Sequence, residues 1–248
     1  MNRCLTIRDD PLPPIRCLHL LPALRLPVPR VAPGPNPPHP RPRCDVLAPM
    51  SISVTTWYLE QTSPADLAPA QAPPAEQGVR IVRAEVPSPE FSRFLYTAVG
   101  GDITWTDRLA WPYAQWAEFL GRPGVETWVA YERGTPAGFI ELNAEADGSV
   151  EISYFGLLPA FRGRRVGGYL LAYGIERAWD LAERWPGRAP TKRVWVHTCS
   201  KDGPYAMANY QRRGFRLYDT TVDEEPEISA PGPWPGAGPL TSGSPAGE

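Results

Sequence analysis

Between Phe161 and Leu171 the chain reads FRGRRVGGYLL, three arginines and three glycines ahead of an apolar turn. Such a run suits an anion. Glycines let backbone approach a ligand, arginines add positive charge, and a helix starting here would aim its unpaired N–H groups at one spot. A solvated basic helix start with glycines for close packing is the other reading, and these residues alone leave both open. The nucleotide patterns G-x-G-x-x-G and G-x-x-x-x-G-K-[ST] are absent. A second chemical pair is His197 and Cys199, two apart on a strand-like run and so on one face. A Cys–His nucleophile would pass through an acyl-enzyme, though residues at this spacing are also ordinary strand neighbours. A third is the stretch Tyr96 to Trp116, where Tyr96, Trp105, Trp111, Tyr113 and Trp116 surround Asp102 and Asp107. Aromatic walls with carboxylates suit a cation, and most of these rings would equally serve to pack helices on a sheet.

The elements that must position these residues are legible as patterns. MSISVTTWYLE, opening at Met50, and VRIVRAEV, Val79 to Val86, read as strands. SPEFSRFLYTAV reads as a helix capped by Ser88, with Pro89 in its first turn and Phe91, Phe94, Leu95 and Ala98 as its apolar face. PYAQWAEFLGR is a second short helix. VETWVAYE, AGFIELNAE and VEISYFGLL form three strands of an antiparallel meander, joined by polar turns at RGTP and ADGS. The arginine–glycine run then opens a long helix in which Leu171, Ile175, Ala178 and Ala182 recur. KRVWVHT is a strand, DGPYAMANYQRRG a helix capped by Asp202 and stopped by Gly214, and FRLYDTTV a closing strand. The pattern is a mixed α/β domain.

Composition bounds the rest. The 32 prolines fall largely at the two ends, and 42% hydrophobic residues suffice for a core in between. Residues 1–49 and 226–248 are expected to be disordered tails around a domain at 50–225 with its core at 79–222. PADLAPAQAPPAEQ reads as a loose linker, and Met50 as the true translation start. A net charge of −2 argues against broad attraction to nucleic acid or membranes, and no apolar run is long enough for a membrane span. Three of the four cysteines lie in the proline-rich start, which is no disulfide framework, so the expectation is a reducing cytoplasm. Cys17, His19, His39 and Cys44 match no standard zinc spacing, and no metal is expected.

EISYFGLLPAFRGRRVGGYLL followed by ANYQRRGF resembles the two signature segments of the GNAT superfamily, the acetyl-CoA-dependent N-acetyltransferases. The first signature, Q/R-x-x-G-x-G/A, places Arg162 at its start and Gly167 at its end, with Arg165 where the first glycine is usual. The second, a helix ending Y-x-x-x-G-F, is met by Tyr210, Gly214 and Phe215. The resemblance spans Val79 to Val222. It implies a mixed, mostly antiparallel central sheet flanked by helices, and direct acetyl transfer from acetyl-CoA to a small-molecule or protein amine in a monomer or homodimer. The rival is a non-catalytic acyl-CoA-binding module that kept the fold.

The resemblance also implies a site. The CoA pyrophosphate would lie on the backbone of Arg162, Gly163, Arg164, Arg165, Val166, Gly167 and Gly168. The pantetheine arm would pair with the strand around Phe155, Leu157 and Leu158. The family's pantetheine-binding asparagine has no counterpart in Asp202-Gly203-Pro204. If Arg165 needed positive φ it would be strained by roughly 1 kcal/mol or more; the expectation is helical φ/ψ with the side chain toward phosphate, because Gly163 and Gly167 remain to bend the loop. An ammonium acceptor must lose a proton to attack, and a thiolate leaves more easily when protonated. Glu151 falls where members carry a general base, with Glu141 as substitute, and Tyr210 is the candidate acid. The acceptor would meet Tyr96, Trp105, Asp107 and Glu141.

Overall fold

The computed structural model describes residues 51–227. The tail expected at 1–49 and the Cys17, His19, His39 and Cys44 set lie outside the described residues, as does the tail expected at 226–248 except for Pro226, which ends the last strand, and Glu227. Seven strands form one sheet: β1 (Ser51–Gln61), β2 (Val79–Arg83), β3 (Val125–Glu132), β4 (Thr135–Ala144), β5 (Ser149–Leu157), β6 (Arg193–Cys199) and β7 (Arg216–Pro226). Their spatial order is β2-β3-β4-β5-β6-β1-β7. Every neighbouring pair is antiparallel except β5–β6. The helices are α1 (Pro89–Gly100), α2 (Tyr113–Leu120), α3 (Val166–Trp179), α4 (Leu181–Arg184) and α5 (Ala206–Arg212). None of the described helices is long and apolar enough to cross a membrane.

The mixed, mostly antiparallel sheet flanked by helices is therefore present. The parallel β5–β6 pair is short. It covers Ser149↔Arg193, Val150↔Val194 and Glu151↔Trp195, and stops there. From Ile152 onward β5 keeps β4 on one side, and its other edge is open to the gap beside β6. The β1 strand pairs with β6 and with β7, so the strand nearest the start of the described chain sits between the two nearest its end.

One face of the sheet packs on α3. Leu170, Leu171, Ile175 and Ala178 bury themselves against Ile140, Leu142, Val150, Ile152, Val194 and Val196. Gly174, which costs helix stability by about 1 kcal/mol relative to alanine, is required by this approach: a Cβ there would come within 2.4 Å of Ile140. The opposite face packs on α1 and α2 through Tyr96, Leu95, Val99, Trp116 and Phe119.

Several expectations need correction. The inward face of α1 is Ser92, Leu95, Tyr96 and Val99, while Phe94 is 49% exposed. The helix packs on both α2 and the sheet, which turns its buried stripe away from the simple apolar periodicity. The long helix stops at Trp179. Asp180 leaves helical geometry (φ −93°, ψ 14°) and accepts from Arg177 and Arg184, so Ala182 belongs to α4. Asp202 does not cap α5. Its carboxylate takes the Thr198 hydroxyl and the Cys199 N–H at the end of β6, and Gly203-Pro204 delays the helix to Ala206. The linker is tethered: Arg213 donates to the carbonyls of Ala68 (3.1 Å) and Pro69 (2.5 Å), and Leu67 packs on the core.

Candidate active site

The arginine–glycine run leaves β5 through a 3-10 turn at Pro159–Phe161 and enters α3. The N-terminus of α3 carries no side-chain cap. Its first i→i+4 bond runs from Tyr169 N–H to the Arg165 carbonyl at 3.3 Å, so the N–H groups of Val166, Gly167 and Gly168 precede the helical ladder. Gly163 has φ 74°, and a Cβ on Gly168 would meet nothing within 4 Å. Positive helix-end dipole, free donors and open space converge here, which fits a phosphate.

The arginine side chains do something else. Arg162 grips Asp102 with both terminal nitrogens and reaches the Leu157 carbonyl through Nε at 3.1 Å. Arg164 pairs with Glu132. Arg165 donates to Gln71 Oε1 at 3.2 Å, and its backbone is left-handed, φ 66° and ψ −8°. The expectation of helical φ/ψ at Arg165 is thus wrong. Gly163 supplies one left-handed residue, but the junction needs a second at the N-cap of α3, and Arg165 occupies it.

The open edge of β5 leads from this loop to Glu151. Phe155, partly buried, pairs with Ile140, and Leu157 with Gly138, so their backbones stand between β4 and the gap. Leu158 N–H is already used by the Ala137 carbonyl at 2.9 Å. Glu151 sits where β5 and β6 part. Its Oε2 accepts from Ser153 Oγ (2.9 Å) and Asn143 Nδ2 (3.2 Å), and its Oε1 lies 3.7 Å from His197 Nδ1. Tyr210 belongs to the core cluster that holds the α3 residues, with Phe155 packed against it. It is 7% exposed, against Phe155 (6.2 Å between centroids) and Phe215 (6.0 Å). Burial first, and the Asp202 carboxylate second, push its phenol pKa up, so it holds its proton at neutral pH.

On the α1–α2 side, Glu141 is 2% exposed and lies 2.8 Å from Arg108 Nη1, as an ion pair off the N–H direction rather than an aligned hydrogen bond. Burial raises its carboxyl pKa, and Arg108 opposes that rise. The Arg108 guanidinium is boxed by Phe119 (4.2 Å), Tyr154 (4.4 Å) and Trp111 (4.7 Å). Tyr96 is interior, in contact with Trp105 and Tyr154, and its hydroxyl accepts from Arg108 N–H at 3.3 Å. Trp105 is partly buried beside Tyr154, and Asp107 is exposed. Tyr96, Trp105 and Glu141 thus gather in one cluster, with Asp107 at its surface. Burial, and then Asp202, raise the Cys199 thiol pKa, which disfavours the thiolate a covalent route would need. A cavity of about 430 Å³, lined by Glu145, Gly148, Arg188 and Thr191 among others, lies at the start of β5, where Ser149 and Val150 are still paired with β6.

Sequence reading missed Arg108 as the partner of Glu141, and Asn143, Ser153 and His197 as the partners of Glu151. Asn143 and Glu151 face each other only through the β4–β5 register, which includes a bulge. His197 stood in the sequence as a neighbour of Cys199; its proximity to Glu151 follows from the parallel β5–β6 pairing.

Comparisons with known proteins bear on the family and the fold. Residues 89–215 match the model of the Acetyltransferase (GNAT) family. A GCN5-related N-acetyltransferase from Kribbella flavida aligns with a TM-score of 0.50 at 21% identity, over 71% of this chain and 59% of that one. Another, from Sphaerobacter thermophilus, aligns with a TM-score of 0.51 at 17% identity, over 75% of this chain and 55% of that one. These likenesses show a shared fold, and the chain spans somewhat more than half the length of those proteins. No curated protein matches.

Proposed function

The chain belongs to the GNAT acetyltransferase family, and from that premise we propose that it moves an acetyl group from acetyl-CoA to an amine by direct transfer in a ternary complex. The observation that carries this reading is the continuous path from the uncapped start of α3, along the open edge of β5, to the point where β5 and β6 part at Glu151 and Trp195. The backbone from Arg162 to Gly168 would hold the pyrophosphate. The free edge of β5 around Phe155 and Leu157 would pair with the amides of the pantetheine arm, as an added strand does. When bound there, acetyl-CoA supplies the activated acyl group.

The chain's own residues then divide the proton work. Glu151, oriented by Asn143 and Ser153, takes a proton from the acceptor's ammonium. Tyr210, on the opposite face, gives one to the departing sulfur. Glu141 is committed to Arg108 and stabilises the wall behind Glu151. Trp105 and Asp107 would meet the acceptor at the edge of this wall, over the interior Tyr96. The acceptor is a small-molecule or protein amine, and the compartment is the cytoplasm, on the sequence grounds given above.

Tyr210→Phe tests the assignment. The ring stays, so the KM for acetyl-CoA should hold, while kcat falls by roughly 10² to 10⁴, the usual effect of losing a general acid. The measurement is thiol release from acetyl-CoA against a panel of primary amines. Turnover within about threefold of the parent, far short of that effect, would reduce Tyr210 to a packing residue. Binding of CoA with no amine acetylated would favour the non-catalytic module.

A further inference from the structure

A general base must pass on the proton it takes, and for Glu151 the surroundings restrict how. Its side chain is only 16% exposed. Two donors hold Oε2, an amide and a hydroxyl, which orient the carboxylate without titrating. Among nearby carboxylates, Glu141 is buried with Arg108, and Glu145 accepts from Trp195 Nε1 at 3.3 Å. Oε1 faces His197 Nδ1 at 3.7 Å, and the imidazole is 46% exposed. His197 lies two residues beyond Trp195, the last β6 residue paired with β5, so it stands on the strand wall where the gap opens. Tyr58 and Trp195 flank it, each 6.1 Å away between ring centroids. The 3.7 Å separation is beyond hydrogen-bond length, so a transfer needs a side-chain rotation or a bridging water.

We propose that His197 is a proton relay, carrying the acceptor's proton from Glu151 to solvent; the proposal rests on Glu151 being the base. An ammonium loses two protons in becoming an amide. One ends on sulfur as the C–S bond breaks and the C–N bond forms. The other passes from nitrogen to Glu151, then to His197 Nδ1, while the proton on Nε2 leaves to water. Histidine suits the task because one ring nitrogen can take a proton while the other gives one up. No oxidant or reductant takes part.

Two measurements decide it. The first needs no acceptor. In the full chain labelled with ¹⁵N-histidine there are three imidazoles, and His197→Gln identifies the relevant one. Glu151→Gln should move its Nδ1 resonance at constant pH; an unmoved resonance would overturn the relay. The second is thiol release from acetyl-CoA with tyramine, spermidine and lysine methyl ester as probe amines in dilute non-nucleophilic buffer. His197→Ala should lower kcat roughly tenfold or more with the KM for acetyl-CoA unchanged, as loss of a proton-transfer group does. Added imidazole should restore its rate. His197→Gln, which fills the space, should be equally slow and unresponsive. A slow His197→Ala that imidazole leaves unmoved would overturn the relay, as would full activity in either His197 variant while Glu151→Gln is impaired. Full activity in Glu151→Gln would instead remove the base assignment, and the relay with it.

Discussion

Arg165 shows a single residue held against its preference. A left-handed conformation costs an L-residue about 1–2 kcal/mol, and here φ is 66°. Glycine would relieve that strain and return part of the gain, about 0.5–1 kcal/mol, as lost chain freedom in folding. Arg165→Gly should therefore stabilise the protein by up to about 1 kcal/mol in urea unfolding, with the affinity for CoA nearly unchanged because the side chain faces Gln71. A destabilised variant would mean that the Gln71 contact outweighs the strain. At this scale the sequence was an uneven guide. The loop, Glu151 and Tyr210 could be proposed from the sequence because a motif is a local string. The partners of Glu151 could not, since Asn143, Ser153 and His197 converge through two different strand pairings and a bulge.

Elements were read more faithfully than their ends and faces. Strands and helices appeared where alternation and capping signals placed them, Ser88 Oγ accepting from Phe91 N–H as a cap should. The errors at α1, Asp180 and Asp202 share a cause: a polar side chain or a second packing partner outside the element overruled local periodicity. The junction of β3 with α4 carries the clearest consequence. Glu126, its side chain fully buried, receives Arg184 through Nε and Nη2 (2.9 Å each), and the indole N–H groups of Trp128 and Trp185 (2.8 Å each). Burial alone would raise its carboxyl pKa, but these donors outweigh it and hold the pKa below the usual 4.5. A depressed carboxyl contributes stability in full above its unfolded value and loses it as pH falls through the folded one. Glu126→Gln should cost about 3 kcal/mol at neutral pH, as a broken buried pair does. The gap to the parent should narrow as acid unfolding is followed below pH 4.5.

For the whole molecule, the order of strands could not be read from periodicity. Nothing in MSISVTTWYLE announces that it belongs between β6 and β7. The family match at 89–215 takes in β3 to β6 and leaves β1, β2 and β7 outside it. We propose residues 50–225 as the acetyltransferase domain. A chain beginning at Met50 should melt at the parent's temperature and bind CoA equally, whereas one beginning at Thr62 should fail to fold, because β7 would lose its partner strand and β6 one of its two. A lower melting temperature for the first would show that residues 1–49 contribute. The position of β1 also bears on how the protein is made. Thr55 N–H ends bonded to Ser200, 145 residues further along, while β3, β4 and β5 close as hairpins soon after synthesis. On the ribosome, at roughly 5–20 residues per second, the nascent β1 waits on the order of ten seconds for its neighbours. Throughout that interval an unpaired strand rich in Val, Thr, Trp and Tyr is exposed to chaperones and to other emerging chains.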